Sequence, residues 1–511
     1  MAFGAMTAPN SPDTDVRTRL NASRGRFFLA WGIALNLLKT TLVAGAAGAT
    51  LAWAGLAQAQ AAPPAPVATA TADPDGLGDG PPAAAPVAQT AEAAPEPTTA
   101  APAPEPMTIS DAVTGGHLLL EMRARYEYVD QTKTKTLTRN AEAYTLRTRL
   151  GWETGAWHDL KALVEFEDVR LIGPEHYAVN VPGATTAPLN GADKAKYPLI
   201  NDPKVTELNR LQLTWTPSAD LSGTLGRQRI LIDDQRFIGN VGWRQDEQTF
   251  DALRVDAAWR RFKLTYAYVD RVNRILGQEK DWNSDSHLAN LTWSLAEQLR
   301  LEGFVYALDF SNSRPNTSLT RGVKASGKAW VSLFQLTYDA TWARQSDYHH
   351  ATEKYDLDYW GADLAGTFDI YTVKVDYEQL EGNGFRGFTT PLATTHSFQG
   401  WADAWVQPLG GNKGFVDGIK DLNFTFNVKP RFKATYFFNP DLLVRYHDFD
   451  DQRTGASLGH EWDAQIQAAI TPKLTAAIKY ADFEREKTVP VGTATPPPSR
   501  TKVWFTLEYK L

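Results

Sequence analysis

Eight arginines carry the most distinctive chemistry in this sequence: Arg123, Arg125, Arg147, Arg149, Arg210, Arg227, Arg229 and Arg254. Six of them form pairs two residues apart, and residues two apart on a strand project to one face. A guanidinium stays charged at any working pH and grips carboxylate or phosphate bidentately. Lys161, Lys263 and Arg300 extend the set, although Phe304 and Tyr306 share the face of Arg300. Glu121, Glu127, Glu165, Glu167 and Asp256 fall on the same faces as the arginines. Two readings therefore stand together: a cationic lining for anionic ligands, or arginine–carboxylate pairs that brace a wall.

Asp233, Asp234 and Arg236 follow directly after Arg227 and Arg229. They are expected to open a loop that folds inward and narrows a channel, with the two aspartates pairing to the two arginines. Other reactive constellations are poor. His349 and His350 are adjacent, and adjacent residues on a strand face opposite sides, so they read as solvated loop residues rather than metal ligands. Asp450 and Asp451 sit at a strand-to-loop boundary with no general base at a useful spacing. There is no cysteine, which removes thiolate metal sites, cysteine nucleophiles and disulfides. No nucleophile elbow or phosphate loop is present. No catalytic residue, metal or cofactor is expected.

The elements that position the arginines show a period of two. Leu118, Leu120, Met122, Ala124, Tyr126 and Tyr128 alternate with Glu121, Arg123, Arg125 and Glu127. Tyr144, Leu146, Leu150 and Trp152 oppose Arg147 and Arg149; Val503, Phe505, Leu507 and Tyr509 oppose Lys502, Trp504, Thr506 and Glu508. Alternation over about ten residues is the transmembrane β-strand pattern. Connections alternate too. Short turns at 154–157, 217–220, 259–261, 296–298, 369–371 and 471–473 interleave with long polar loops at 173–204, 233–247, 271–285, 310–320, 346–355 and 382–421. That asymmetry predicts an all-β, antiparallel transmembrane barrel. The strand count comes to 18 if 382–421 is one loop, so the run around Trp401–Trp405 is placed in that loop. Tyr126, Tyr128, Trp152, Trp215, Trp259 and Tyr509 suit aromatic girdles at the strand ends.

Composition agrees. The chain has 511 residues, 22% charged, with 16 Trp, 18 Tyr and 23 Phe. The net charge of −7 argues against a nucleic-acid partner. Four arginines between Arg17 and Arg26, an uncharged run from Thr40 to Leu56 and the exit Ala57-Gln58-Ala59 read as an export signal over 1–59 with a long leader. The length of that leader raises the expectation that translation begins near Leu37 or Leu38. Residues 60–114 read as a disordered Ala/Pro-rich linker, a spacer or a reach toward a periplasmic partner, and 115–511 as the barrel.

Several motifs resemble one family. They are Leu225-Gly226-Arg227-Gln228-Arg229-Ile230, then Asp233 through Gln245 with its Asn240-Val241-Gly242-Trp243-Arg244-Gln245 end, then Gln248-Thr249-Phe250-Asp251-Ala252. His396-Ser397-Phe398-Gln399-Gly400-Trp401-Ala402-Asp403, Tyr446-His447-Asp448-Phe449 and Gly459-His460-Glu461 follow in order. Together they are similar to the alginate export family of outer-membrane porins over residues 115–511. The resemblance implies a monomeric 18-stranded barrel with an arginine-rich, anion-selective pore in the bacterial outer membrane. The expected partners are an anionic solute or acidic polysaccharide such as alginate, the surrounding lipids and the barrel-assembly machinery. Two other classes remain open: a barrel-scaffolded envelope enzyme, and a structural or adhesion protein.

Overall fold

A strand that crosses hydrocarbon must satisfy every backbone N–H and C=O inside the protein, because no water is there to accept or donate. The chain meets this demand by closing on itself. The computed structural model describes residues 108–179, 187–405, 414–431, 433–434, 437–488, 490 and 495–511. The expected export signal and most of the expected linker lie outside the described residues. The last residues of that linker span are described. They form a short helix, Ile109–Thr114, whose N-cap Thr108 makes a reciprocal capping box with Asp111.

From His117 onward the strands pair antiparallel with their sequence neighbours. The first strand, His117–Gln131, also pairs with the last, Arg500–Lys510, from Glu121↔Lys510 to Gln131↔Arg500. The ring is closed and contains 18 long strands; a two-residue segment, Lys433–Ala434, adds a short ladder beside the strand Phe437–Asp451. Among the described residues no helix is long and apolar enough to cross a membrane. The segment 382–417 contains no strand among its described residues, and the next strand begins at Gly418 rather than after Asp421. Trp401–Trp405 therefore belongs to the loop, as the parity of the barrel requires.

Each strand sorts its side chains by face. Leu150, Phe166, Leu213, Val323, Leu364, Phe424 and Phe505 are exposed outward, where lipid replaces water, while Arg123, Glu127, Arg147, Glu165, Lys324, Trp504 and Glu508 are buried inside. Phe304 and Tyr306 also turn inward, on the face of Arg300, and pack against Phe237 of an inserted loop. The tight turns 260–261, 332–333 and 369–370 put Arg260, Ser332 and Asp369 at positive φ (54°, 55° and 52°), the twist that closes a two-residue hairpin. Beside these turns the aromatics form a girdle: Phe262 stacks between Trp259 and Trp293, and Phe334–Phe368 and Tyr371–Phe426 pair further round.

Val323 lies near the middle of the strand Ser318–Val331 on the outer face. Val323→Arg is expected to destabilise the folded barrel by about 2–4 kcal/mol, the cost of a guanidinium at the bilayer midplane. Denaturant unfolding in lipid bilayers measures it.

Candidate pore constriction

The fifth strand, Leu221–Gln228, does not turn tightly into its neighbour Thr249–Trp259. The twenty residues between, 229–248, enter the barrel, where most of them are buried. Their polarity is met by partners drawn from around the wall. Arg123 of the first strand donates to the Gly242 carbonyl at 2.7 Å, and Arg125 donates to the Trp243 carbonyl at 2.5 Å. The Arg125 guanidinium lies 4.1 Å over the Trp243 ring. Arg244 pairs with Glu127 at 3.2 Å, and the Gln245 amide donates to Thr145 Oγ1 at 2.7 Å.

At its other end the loop reaches the opposite wall. Lys324, on the tenth strand, holds Asp233 at 2.5 Å and Asp234 at 3.0 Å, and is also paired with Asp339 at 2.6 Å. Arg300 reaches Asp233 at 3.6 Å. Arg236 pairs with Glu378 on the strand Tyr371–Glu381 and donates to Thr390 Oγ1 at 2.9 Å. The first and tenth strands lie nine positions apart in a ring of 18, on opposite sides. The loop therefore crosses the lumen from wall to wall.

A second inserted segment, within 382–417, shares this interior. Backbone from the two loops pairs at Ile238↔Leu392. Ala402 N–H donates to Glu461 at 2.6 Å, and Asp403 accepts from Lys502 at 2.6 Å and from His396 at 2.8 Å. His396 stacks on Trp243 with centroids 4.0 Å apart, and Lys479 Nζ sits 4.2 Å from both the Trp243 and Trp401 rings. Burial opposes the charge of Asp403, but Lys502, His396 and Arg244 outweigh it and hold the carboxyl well below the usual aspartate range. Asp246 is the reverse case. Burial and the neighbouring Glu207 and Glu167 carboxylates raise its carboxyl well above the usual range, so it favours the protonated form.

The eight arginines fall into two groups. Arg123, Arg125, Arg147 and Arg149 are fully buried between the wall and the loop. Arg147 pairs with Glu121 and Glu508, and Arg149 with Glu167, Glu121 and Glu247. Arg210, Arg227, Arg229 and Arg254 keep partial exposure. Arg210 grips Glu165 through two bonds of 2.9 and 2.7 Å, and Arg254 binds Asp256 at 2.7 Å. Arg229 reaches Glu247 at 2.7 Å, whereas Arg227 clamps Asp251, its register partner on the next strand, at 2.8 Å and donates to the Leu208 carbonyl. Asp233 and Asp234 do not pair with Arg227 and Arg229 as expected. The chain turns inward after Ile230 and carries the two aspartates across to Lys324. Lys161 and Lys263 lie exposed beside short turns.

Sequence reasoning passed over Lys324, Glu378 and Lys479, and placed Lys502 on a strand face without giving it a role. The alternation marks Lys324 and Lys502 as inward-facing, but their partners lie on loops whose path no periodicity encodes. The geometry can do one thing plainly: it narrows the lumen with a charge-paired crossing.

Comparisons with known proteins agree with this architecture. The family described as alginate export matches residues 117–438. The fold is similar to Pseudomonas aeruginosa OpdK, solved with vanillate, at 13% identity and a TM-score of 0.56, covering 78% of this chain and 99% of that one. It is similar to P. aeruginosa OccK9 (OpdG) at 12% identity and a TM-score of 0.57, covering 78% and 100%. Acinetobacter baumannii OccAB4 gives 12% identity and a TM-score of 0.55, covering 78% and 98%. No curated protein matches the chain in sequence.

Lys324→Met leaves three aspartates without their shared cation. Breaking a buried pair in this way is expected to cost about 3 kcal/mol and to free one end of the crossing loop. In planar bilayers the variant is expected to show larger and noisier single-channel conductance; unchanged traces would mean that the loop is not held there.

Asp246 binds its proton more tightly in the folded chain than in the unfolded one. The sign follows: stability falls as pH rises above the ordinary aspartate value of about 4, and it stops falling only above the raised folded value. Asp246→Asn removes that slope. The variant is expected to be more stable than the parent at about pH 7 and equal to it below about pH 4. Unfolding curves across that range provide the comparison.

Proposed function

The chain belongs to the alginate export family and is an outer-membrane, porin-like channel, and from that premise we propose that it passes organic anions and acidic saccharides by passive diffusion. One observation carries the anionic preference. Around the crossing loop, Arg210, Arg229, Arg254 and Arg300 remain partly open to the lumen although each is paired. A guanidinium has five N–H donors, and a carboxylate pair uses two of them. Such groups offer an anion weak, numerous contacts that it can leave as easily as it enters. The similar barrel OpdK was solved with vanillate, an organic anion.

In this reading the eight arginines divide their work. Arg123 and Arg125 position the loop by binding its carbonyls and Arg149 by binding Glu247, while Arg147 braces the wall between Glu121 and Glu508. Arg210, Arg229 and Arg254 meet the solute, and Arg227 braces the strand that carries Arg229. Asp233, Asp234 and Arg236 set the width of the crossing by anchoring it to the far wall. An acidic polysaccharide such as alginate fits the same chemistry as a chain of repeated carboxylates.

Purified protein in planar bilayers under a salt gradient is expected to give an anion-selective reversal potential, although the whole chain is net acidic. Arg227→Ala combined with Arg229→Ala is expected to move that potential toward zero and change conductance while the barrel stays heat-modifiable. A cation-selective parent would overturn the anionic reading. An unchanged potential in a folded double variant would remove this pair from the solute path and leave it as wall bracing.

A further inference from the structure

The long-loop rim carries a side-chain constellation that the channel reading does not use. His349 and His350 are the central residues of a turn closed by a hydrogen bond from the Ala351 N–H to the Tyr348 carbonyl, 2.8 Å. They are not on a strand, so the alternation that would send them to opposite sides does not operate. His349 adopts a positive φ of 36°, a conformation that glycine normally supplies at such a position. The consequence is convergence. His349 Nδ1 lies 3.0 Å from Asp309 Oδ2, and His350 Nδ1 lies 3.0 and 2.9 Å from Asp309 Oδ1 and Oδ2.

Asp309 is prepared for this role. It is buried at the end of the strand Leu299–Leu308, and its own N–H is taken by Ser286 Oγ at 2.9 Å. Among the described residues the ion-pair partners of its carboxylate are the two imidazoles. The Tyr348 ring stacks on His349 at 4.5 Å and 3°, which fixes the imidazole plane. One ligand atom from each of the three residues lies within 4.8 Å of the others.

We infer that Asp309, His349 and His350 form a binding site for a first-row divalent metal ion, with zinc the best-suited probe. Two neutral imidazoles and one carboxylate are a common donor set for such ions. Tetrahedral ligands at about 2.0–2.1 Å from zinc stand about 3.3 Å apart. The imidazole-to-carboxylate separations of 2.9–3.0 Å are a few tenths of an ångström shorter, so a small outward movement of the exposed imidazoles admits the ion. Three protein ligands leave a fourth position for water or an external donor. The positive φ of His349 belongs to the turn that brings both rings to one carboxylate. The bound ion fastens the loop 347–355 to the loop 309–317, two connections on the same rim. The site stands whether or not the lumen prefers anions.

The test uses full-length, untagged barrel in detergent, stripped with EDTA and desalted, with Zn2+ alone as the probe. Calorimetric titration is expected to give one ion per chain. Affinity is expected to fall at least about tenfold in Asp309→Asn and in the double variant His349→Ala with His350→Ala. Zn2+ is also expected to slow tryptic cleavage after Lys354, which lies exposed in the same loop, in the parent and not in the variants. Asp309→Asn keeps the side-chain shape, and heat-modifiable migration confirms that each variant is folded. Equal Zn2+ affinity in the parent and the folded double variant would overturn the site, as would a parent that binds no Zn2+ below millimolar concentration. Loss of affinity without protection at Lys354 would overturn the fastening of the two loops.

Discussion

Every backbone polar group of this barrel that lies at the depth of the hydrocarbon must be paired within the protein, and that single requirement organises the molecule. It forces the first strand to find the last, through eleven register pairs between Glu121–Gln131 and Arg500–Lys510. Closure removes sheet edges, and a closed wall has only an inside and an outside. Strand alternation then assigns each residue to lipid or lumen. The apolar set, from Leu150 to Phe505, faces out, and the ionic set faces in.

An interior full of charge needs its own solution. Burying ions costs free energy unless they are paired and hydrogen-bonded. Here the pairs run between wall and loop rather than only along the wall. Glu127 and Arg244, Lys324 and Asp233, Arg236 and Glu378 each join a strand to the inserted segment. The aromatic sandwich of Trp243, Lys479 and Trp401 seals one side of that contact. The same interactions that make the interior tolerable also fix the shape of the passage.

Much of this was legible in the sequence because a period of two has a direct physical meaning. The inward position of Arg123, Arg147 and Glu165 follows from alternation with Leu120, Leu150 and Phe166, and the strand count follows from parity. What alternation cannot encode is where a loop goes once it leaves its strand. Asp233 and Asp234 were adjacent in sequence to Arg229 but cross to Lys324, ninety residues further along the chain. The His349–His350 pair lies exposed in a loop, as expected, but the strand rule that would send the two rings to opposite sides does not apply there, because a turn brings both to Asp309. At Arg300 the shared face was legible, but not that Phe304 and Tyr306 turn inward with it to pack on Phe237 of the inserted loop.

The inserted segment leaves the fifth strand and returns to the sixth, yet its partners stand on the first, on the second (Ala141–Glu153), on the tenth (Ser318–Val331) and on the thirteenth (Tyr371–Glu381). The first two pair with each other, but the tenth and thirteenth stand across the ring from them. The segment's ion pairs with Glu127, Lys324 and Glu378 therefore need strands from distant parts of the ring to be in place together. The barrel thus encloses its own crossbeam, which ties together arcs of the wall that the strand ladder alone leaves far apart.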